Sequence, residues 1–113
     1  MSYKYNLPNT VLSPVKNVSN VRVLFDNGNF HGGYSVAILK WNDNDVLAIR
    51  WNITENEAKD PKKISGTSVC IGEPNSHGHS TWFILPNDFI QQILNNTELN
   101  NKIKQYLNKK ENV

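Results

Sequence analysis

A chain of 113 residues is too short to bury two hydrophobic cores, so its length predicts one domain. Hydrophobic residues make up 38 % and charged residues 19 %, which is too apolar for a disordered chain, and no apolar run reaches the roughly 18 residues of a membrane-spanning helix. The net charge of +2 does not by itself predict a nucleic-acid partner, and a single cysteine excludes an internal disulfide.

The N-terminal segment, residues 1–20, is predicted to be an irregular arm that precedes one α+β domain over residues 21–113. Pro8 and Pro14 bias the residues before them towards extended backbone. No continuous apolar stretch follows basic residues here, as a secretory signal requires. We therefore expect a cytoplasmic protein that has no membrane partner.

The regular fold is predicted to begin with a strand at Val21 that runs into Asn27 and Gly28. Asn-Gly is favoured in two-residue hairpin turns of type I′, because both central residues need a positive φ. The sequence therefore predicts a tight hairpin at this point.

Two strands are predicted next, Tyr34–Trp41 and Val46–Ile53, joined by a four-residue polar loop. If Trp41 lies opposite Val46, the larger apolar side chains share one face, which we expect to be the core face. These side chains are Tyr34, Val36, Ile38, Leu47, Ile49, Trp51 and Ile53. On this interpretation Arg50 projects from the other, mixed face among small neighbours and can be reached from outside.

The second half of the chain is predicted to contain a long mobile loop at 54–67, short strands at Ser68–Ile71 and Ser80–Leu85, and two helices. The helices are expected to begin at Pro86 or Asn87 and at Thr97. Strands followed by helices indicate an α+β fold. We expect a mainly antiparallel sheet of about five strands, a hairpin meander, with one or two C-terminal helices packed on it.

Metal and cofactor sites are not predicted. His31, His77, His79 and Cys70 could together complete a zinc tetrahedron, but their spacing matches no known metal motif. The glycines fit no phosphate-binding loop, and the chain has no nucleophile elbow. We therefore expect no metal and no cofactor, predict no catalytic residue and favour a non-enzymatic role.

Polar donors beside indoles form the candidate binding site. The candidate residues are Arg50, Asn52, Ser76, His77, His79 and Trp82. If the 72–80 loop folds over the strand that carries Arg50, these donors could converge on a carboxylate, a phosphate or a partner's acidic side chain. In the alternative interpretation, Arg50 pairs with Asp43, Glu55 or a loop carbonyl and only stabilises the fold.

Three functional hypotheses follow from these residues. The first is a small binding protein, of the inhibitor or adaptor type, that presents a sheet face and the 72–80 loop to a partner protein. The second is a single-stranded nucleic-acid-binding protein whose aromatic side chains stack on bases, although the near-neutral charge disfavours it. The third is an enzyme acting on an anionic small molecule, with His77 or His79 as acid or base and Arg50 as a charge clamp. The oligomeric state is left open.

Overall fold

A computed structural model describes the backbone of residues 3–111 and the side chains of residues 3–109. It has an antiparallel sheet of four strands in the order β1-β2-β3-β6, a separate two-stranded ribbon, and two C-terminal helices. The predicted α+β class is confirmed, with four rather than about five strands in the main sheet. The strands are β1 (Val18–Asp26), β2 (Tyr34–Trp41), β3 (Asn44–Trp51), β4 (Asn75–Ser76), β5 (His79–Ser80) and β6 (Phe83–Leu85); the helices are α1 (Pro61–Ile64), α2 (Asn87–Asn95) and α3 (Thr97–Glu111).

The connection between β1 and β2 is wider than the tight turn predicted at Asn27 and Gly28, so that prediction is wrong. Side chains of the connection close it by bonding to the backbone. The Asp26 carboxylate accepts the Gly28 N–H at 3.0 Å, and the Asn27 side chain accepts the Tyr34 N–H at 2.7 Å. Asx side chains commonly replace a backbone turn in this way. The hairpin therefore forms, but with residues 27–33 as its loop.

The β2–β3 hairpin has a two-residue turn at Asn42 and Asp43, with φ values of 51° and 68°. Asn and Asp tolerate this left-handed region, which a type I′ turn requires at both positions. Trp41 therefore pairs with Asn44, two residues away from the predicted partner Val46. The register is thus shifted by two residues. Because side chains alternate between the faces with a period of two, the same residues still share each face.

The face of the sheet that is buried is the opposite of the predicted one. The inner face carries Ser35, Ala37, Leu39, Ala48, Arg50 and Asn52, all of which are buried. The outer face carries six of the seven predicted core residues, and its Trp51 side chain is 51 % exposed. The seventh, Ile53, lies after β3 and is buried as predicted. The predicted core face is therefore wrong, because the large side chains of β2 and β3 point away from the elements that cover the sheet.

Packing on the inner face explains this inversion. Val11 from the N-terminal arm and Trp82 from the segment before β6 are buried against Ala37 and Ala48. The Trp82 indole N–H also donates to the Val11 carbonyl at 2.8 Å. Small side chains on this face of the sheet leave room for Val11 and Trp82. Because protein interiors are closely packed, the face with the small side chains is the one that these two residues cover.

A second buried cluster joins the arm to the segment at 54–67. It contains Tyr3, Ile53 and Cys70, and the Tyr3 hydroxyl donates to the Ala58 carbonyl at 2.9 Å. The segment is not the irregular loop that we predicted, because it holds a 3₁₀ turn at Glu57–Lys59 and α1. The predicted strand at Ser68–Ile71 is reduced to a single bridge between Cys70 and Tyr5.

The two C-terminal helices begin at the predicted residues, Asn87 and Thr97. They contact each other, but no residue of α2 is buried, and Leu94 remains 68 % exposed. This differs from the predicted layer of helices on the sheet, because the arm and Trp82 already fill the inner face. Neither helix, in the part of the chain that is described, is long and apolar enough to cross a membrane.

Candidate functional site

Arg50 is buried, with a relative exposure of 3 %, so the predicted accessible guanidinium is wrong. Its Nη1 donates to the carbonyls of Pro74 and Thr81, and its Nη2 donates to the carbonyl of Ile71. Burial lowers the pKa of Arg50 to about 10. The structure therefore has the alternative arrangement, in which Arg50 binds loop carbonyls, and the guanidinium is not accessible as a clamp for an anionic substrate.

The contacts of Arg50 position the 72–80 segment. Pro74 and Thr81 flank the β4–β5 ribbon at its base, and the Thr81 N–H donates to the Pro74 carbonyl at 3.0 Å. The predicted proximity of Arg50 to this segment is thus present. The side chain lies under the base of the ribbon, however, and does not share an open surface with it.

The exposed tip of the ribbon carries the other polar candidates. Ser76 pairs with His79, and the turn between them consists of His77 and Gly78, with φ values of 50° and 81°. Ser76, His77 and His79 are exposed. These three side chains can contact a partner, but they do not converge with the Arg50 guanidinium.

Asn52 and Trp82 are buried like Arg50. The Asn52 carbonyl oxygen accepts the Ser35 hydroxyl at 2.7 Å, and its amide donates to the Asp26 carboxylate and to the Gly28 carbonyl, each at 3.0 Å. Asn52 therefore ties β3 to the 27–33 connection, while Trp82 belongs to the core. The six predicted residues divide into three interior and three ribbon-tip residues.

Glu57 is a buried carboxylate that our sequence analysis missed. It accepts the N–H groups of Thr54 and Gly72 at 3.0 Å and of Ile71 at 2.7 Å, and Lys63 lies 3.5 Å away. Because the Thr54 hydroxyl accepts the Glu57 N–H in return, the pair is a capping box, and its T-x-x-E pattern is visible in the sequence.

The protonation of Glu57 makes stability depend on pH. Burial by itself raises the pKa of Glu57, but the three backbone hydrogen bonds and Lys63 outweigh it, so the pKa lies below 4.5. A carboxyl with a lowered pKa in the folded state stabilises the fold above its unfolded pKa and loses that contribution as the pH falls through the folded pKa.

We expect Glu57→Gln to lower the free energy of unfolding by about 2 kcal/mol at pH 7, because hydrogen bonds to a charged acceptor are lost. The difference from the wild type should shrink as the pH falls below 4.5, the ordinary pKa of the group. Urea denaturation between pH 7 and pH 3 measures both. Glu98→Gln, at an exposed carboxylate on α3, is the matched control and should change little. A deficit that is equal at every pH would contradict the role of the charge.

The histidines and Cys70 do not form a metal centre. His31 Nε2 lies 2.8 Å from the Glu55 carboxylate, and His77 and His79 lie on the ribbon. Cys70 is fully buried, and burial raises the pKa of its thiol to about 11. Within residues 3–109, no group of three potential ligands from His, Cys, Asp and Glu lies together.

The outer face of the sheet carries a row of exposed aromatic side chains, which we call the aromatic row: Phe25, Tyr34 and Trp51. The ring centroids of Phe25 and Tyr34 are 5.5 Å apart, and those of Tyr34 and Trp51 are 6.2 Å apart in an edge-to-face arrangement. Such pairs are a favoured aromatic geometry. The row therefore forms an ordered apolar surface that remains in contact with solvent.

Two grooves flank Trp51. The larger has a volume of about 610 Å³, and the smaller has a volume of about 270 Å³. Trp51 and Glu73 line both grooves. The larger groove is also lined by Tyr34, Ile49, Arg50, Pro74 and Phe83, and the smaller by His31, Gly32, Ile53 and Glu55.

Trp51 and Glu73 form a pair that places a carboxylate beside an indole. The backbone N–H of Trp51 donates to the backbone carbonyl of Glu73 at 2.7 Å, and the backbone N–H of Glu73 donates to the backbone carbonyl of Trp51 at 3.0 Å. Residues that exchange both bonds in an antiparallel pair lie directly opposite each other, so their side chains share a face. Glu73 is exposed, and no described residue forms an ion pair with it.

No family model, curated protein or solved structure matches this chain. The aromatic and branched apolar groups of the larger groove can bury apolar side chains, and its carboxylate, Glu73, can attract a cation. The larger groove is lined by no serine, cysteine, histidine or lysine.

Proposed function

We propose that the protein is a small non-enzymatic binding protein, of the inhibitor or adaptor type, that presents its outer sheet face and the 72–80 segment to a partner protein. The observation that carries this proposal is the exposed larger groove, in which Tyr34, Trp51 and Phe83 are 39 %, 51 % and 58 % exposed. Contiguous apolar surface of this kind marks interaction sites, and tryptophan and tyrosine are frequent hot spots of binding.

The interior residues of the predicted site have a positioning role in this proposal. Arg50 donates to a carbonyl on each side of the base of the β4–β5 ribbon, and the same segment brings Glu73 and Pro74 to the groove. A partner then meets a preorganised surface, which reduces the entropy lost on binding. The exposed tip at 76–79 is available for polar contacts at the rim.

Single-stranded nucleic acid is the second candidate partner, and the aromatic row favours it, because exposed rings on a sheet can stack on bases. The negative charges beside the aromatic row favour a protein partner over a nucleic acid. Glu55 and Glu73 line the grooves, and the guanidinium of Arg50 is occupied by three carbonyls. A phosphate backbone would meet repulsion from these carboxylates rather than the basic surface that it needs.

We also propose that the protein acts in the cytoplasm. The support is the unpaired state of its single cysteine, Cys70, which suits a reducing compartment.

We expect Trp51→Ser to reduce capture of the partner from native cell lysate by roughly tenfold or more, as for an interface hot spot. Tagged wild-type and variant proteins are compared by quantitative mass spectrometry, with and without nuclease. Phe89→Ser, an equally exposed apolar position on α2, is the matched control and should capture the partner as the wild type does. Equal capture by the Trp51→Ser protein would contradict the proposed surface, and capture lost with nuclease would favour nucleic acid.

A further inference from the structure

We infer that the partner binds through an extended segment that places a lysine or arginine side chain on Trp51 beside Glu73, with apolar residues next to it. This inference rests on the proposed function and specifies the chemistry of the partner. It follows from the charge of the grooves and from the way in which they meet at one Trp–Glu pair.

The geometry of the Trp51–Glu73 pair supports a single cationic group as its ligand. The two mutual backbone hydrogen bonds hold Trp51 and Glu73 directly opposite each other, with both side chains on the outer face. A cation placed over an exposed indole is attracted by the ring, and a carboxylate at its edge adds a charge-assisted hydrogen bond. The pair therefore offers both attractions to a single cationic group.

The charged side chains around the Trp51–Glu73 pair differ in whether they already have a partner. Glu55 also lines the smaller groove, but it has partners already, with His31 at 2.8 Å and Lys59 at 3.6 Å. The Glu73 carboxylate has no ion pair among the described residues, and the nearby Arg50 guanidinium donates to three carbonyls. Arg50 keeps its positive charge, since carbonyls are neutral acceptors, but its side chain is buried, whereas Glu73 is exposed. The charge that a partner can reach at the pair is thus the negative charge of Glu73.

The two grooves share the Trp51–Glu73 pair, which gives the surface its shape. The Trp51–Glu73 pair lines both grooves, and the larger one is also lined by Tyr34, Ile49, Pro74 and Phe83 and by the buried Arg50. In an extended segment, alternate side chains point the same way and lie about 6.5–7 Å apart. A basic side chain at the pair therefore directs an apolar neighbour into the larger groove.

Selection from a random dodecapeptide library tests this inference with immobilised wild-type protein, Glu73→Lys and Trp51→Ser. The wild type should enrich peptides that have lysine or arginine two positions away from an apolar residue. Glu73→Lys should lose that preference for basic residues and enrich acidic ones, and it should bind the selected basic peptide roughly tenfold more weakly or worse. Glu98→Lys reverses an exposed charge on α3 and should select the same peptides as the wild type.

Each other outcome has a distinct meaning. Apolar peptides without a basic preference, or a preference that survives Glu73→Lys, would overturn the inference and leave the proposed function standing. No enrichment over the Trp51→Ser protein would overturn both. Binding of a labelled oligothymidylate at physiological salt that Glu73→Lys strengthens would overturn the inference in favour of nucleic acid. Thermal melting of each variant confirms that it is folded.

Discussion

Replacing Arg50 by methionine should lower the free energy of unfolding by about 3–5 kcal/mol, because three carbonyls lose a charged donor and each buried acceptor left without a partner costs about 1–3 kcal/mol. The carbonyls of Ile71, Pro74 and Thr81 lose their shared donor, which comes from a side chain that is 3 % exposed. Arg50→Lys should also be destabilising, because a compact ammonium group cannot replace a planar guanidinium that reaches three acceptors. Urea denaturation measures both variants.

The chain supplies its own control, since it contains two arginines. Arg22 lies on the exposed part of β1 and pairs with Asp45 at 2.9 Å. Arg22→Met should therefore cost less than about 1 kcal/mol, as surface ion pairs do. Equal losses for the two methionine variants, or an Arg50→Met protein as stable as the wild type, would contradict the structural role of Arg50.

Leu39→Ala should lower the free energy of unfolding by about 2–5 kcal/mol, because a fully buried leucine leaves a cavity when it is truncated. Leu39 has an exposure of 0 % and lies in the cluster with Val11 and Trp82. The comparison is with Ile49→Ala on the outer face, where the side chain is 38 % exposed. That change should cost about 1 kcal/mol or less, since the site is already open to water.

The ratio of these two losses tests which face of the sheet is buried. Denaturation of both variants under the same conditions is sufficient. A greater loss for Ile49→Ala than for Leu39→Ala would mean that the outer face is the core, and the proposed binding surface would then not be accessible.

Partner capture by the Ile49→Ala protein should be weaker than that by the wild type, because Ile49 lines the larger groove.

Local signals in the sequence determined much of the secondary structure. The alternation in Tyr34–Trp41 predicted β2 with its exact bounds, and the apolar stripes after Pro86 predicted the starts of α2 and α3. These signals depend on residues within one or two turns of each other, so no distant contact is needed to produce them. The turn at Asn42 and Asp43 is equally local, and only its length was misjudged.

The candidate site was less accessible to sequence reasoning, since its central pair is not local. Trp51 and Glu73 are brought together by backbone hydrogen bonds between segments that the 3₁₀ turn and α1 separate. The composition of Arg50, Asn52 and their neighbours suggested donors for a ligand. Their actual acceptors, at sequence separations of 21 to 31 residues for Arg50, are groups of the protein itself.

By itself, the sequence determined that β2 and β3 have two faces and which residues belong to each, because alternation is a property of an extended backbone. Only the tertiary structure decided which face is buried. Ser35, Ala37 and Ala48 look too small to form a core, but Val11 and Trp82 arrive from distant parts of the chain and need that space. Close packing makes the small-residue face the interior, and the aromatic face is left exposed to solvent.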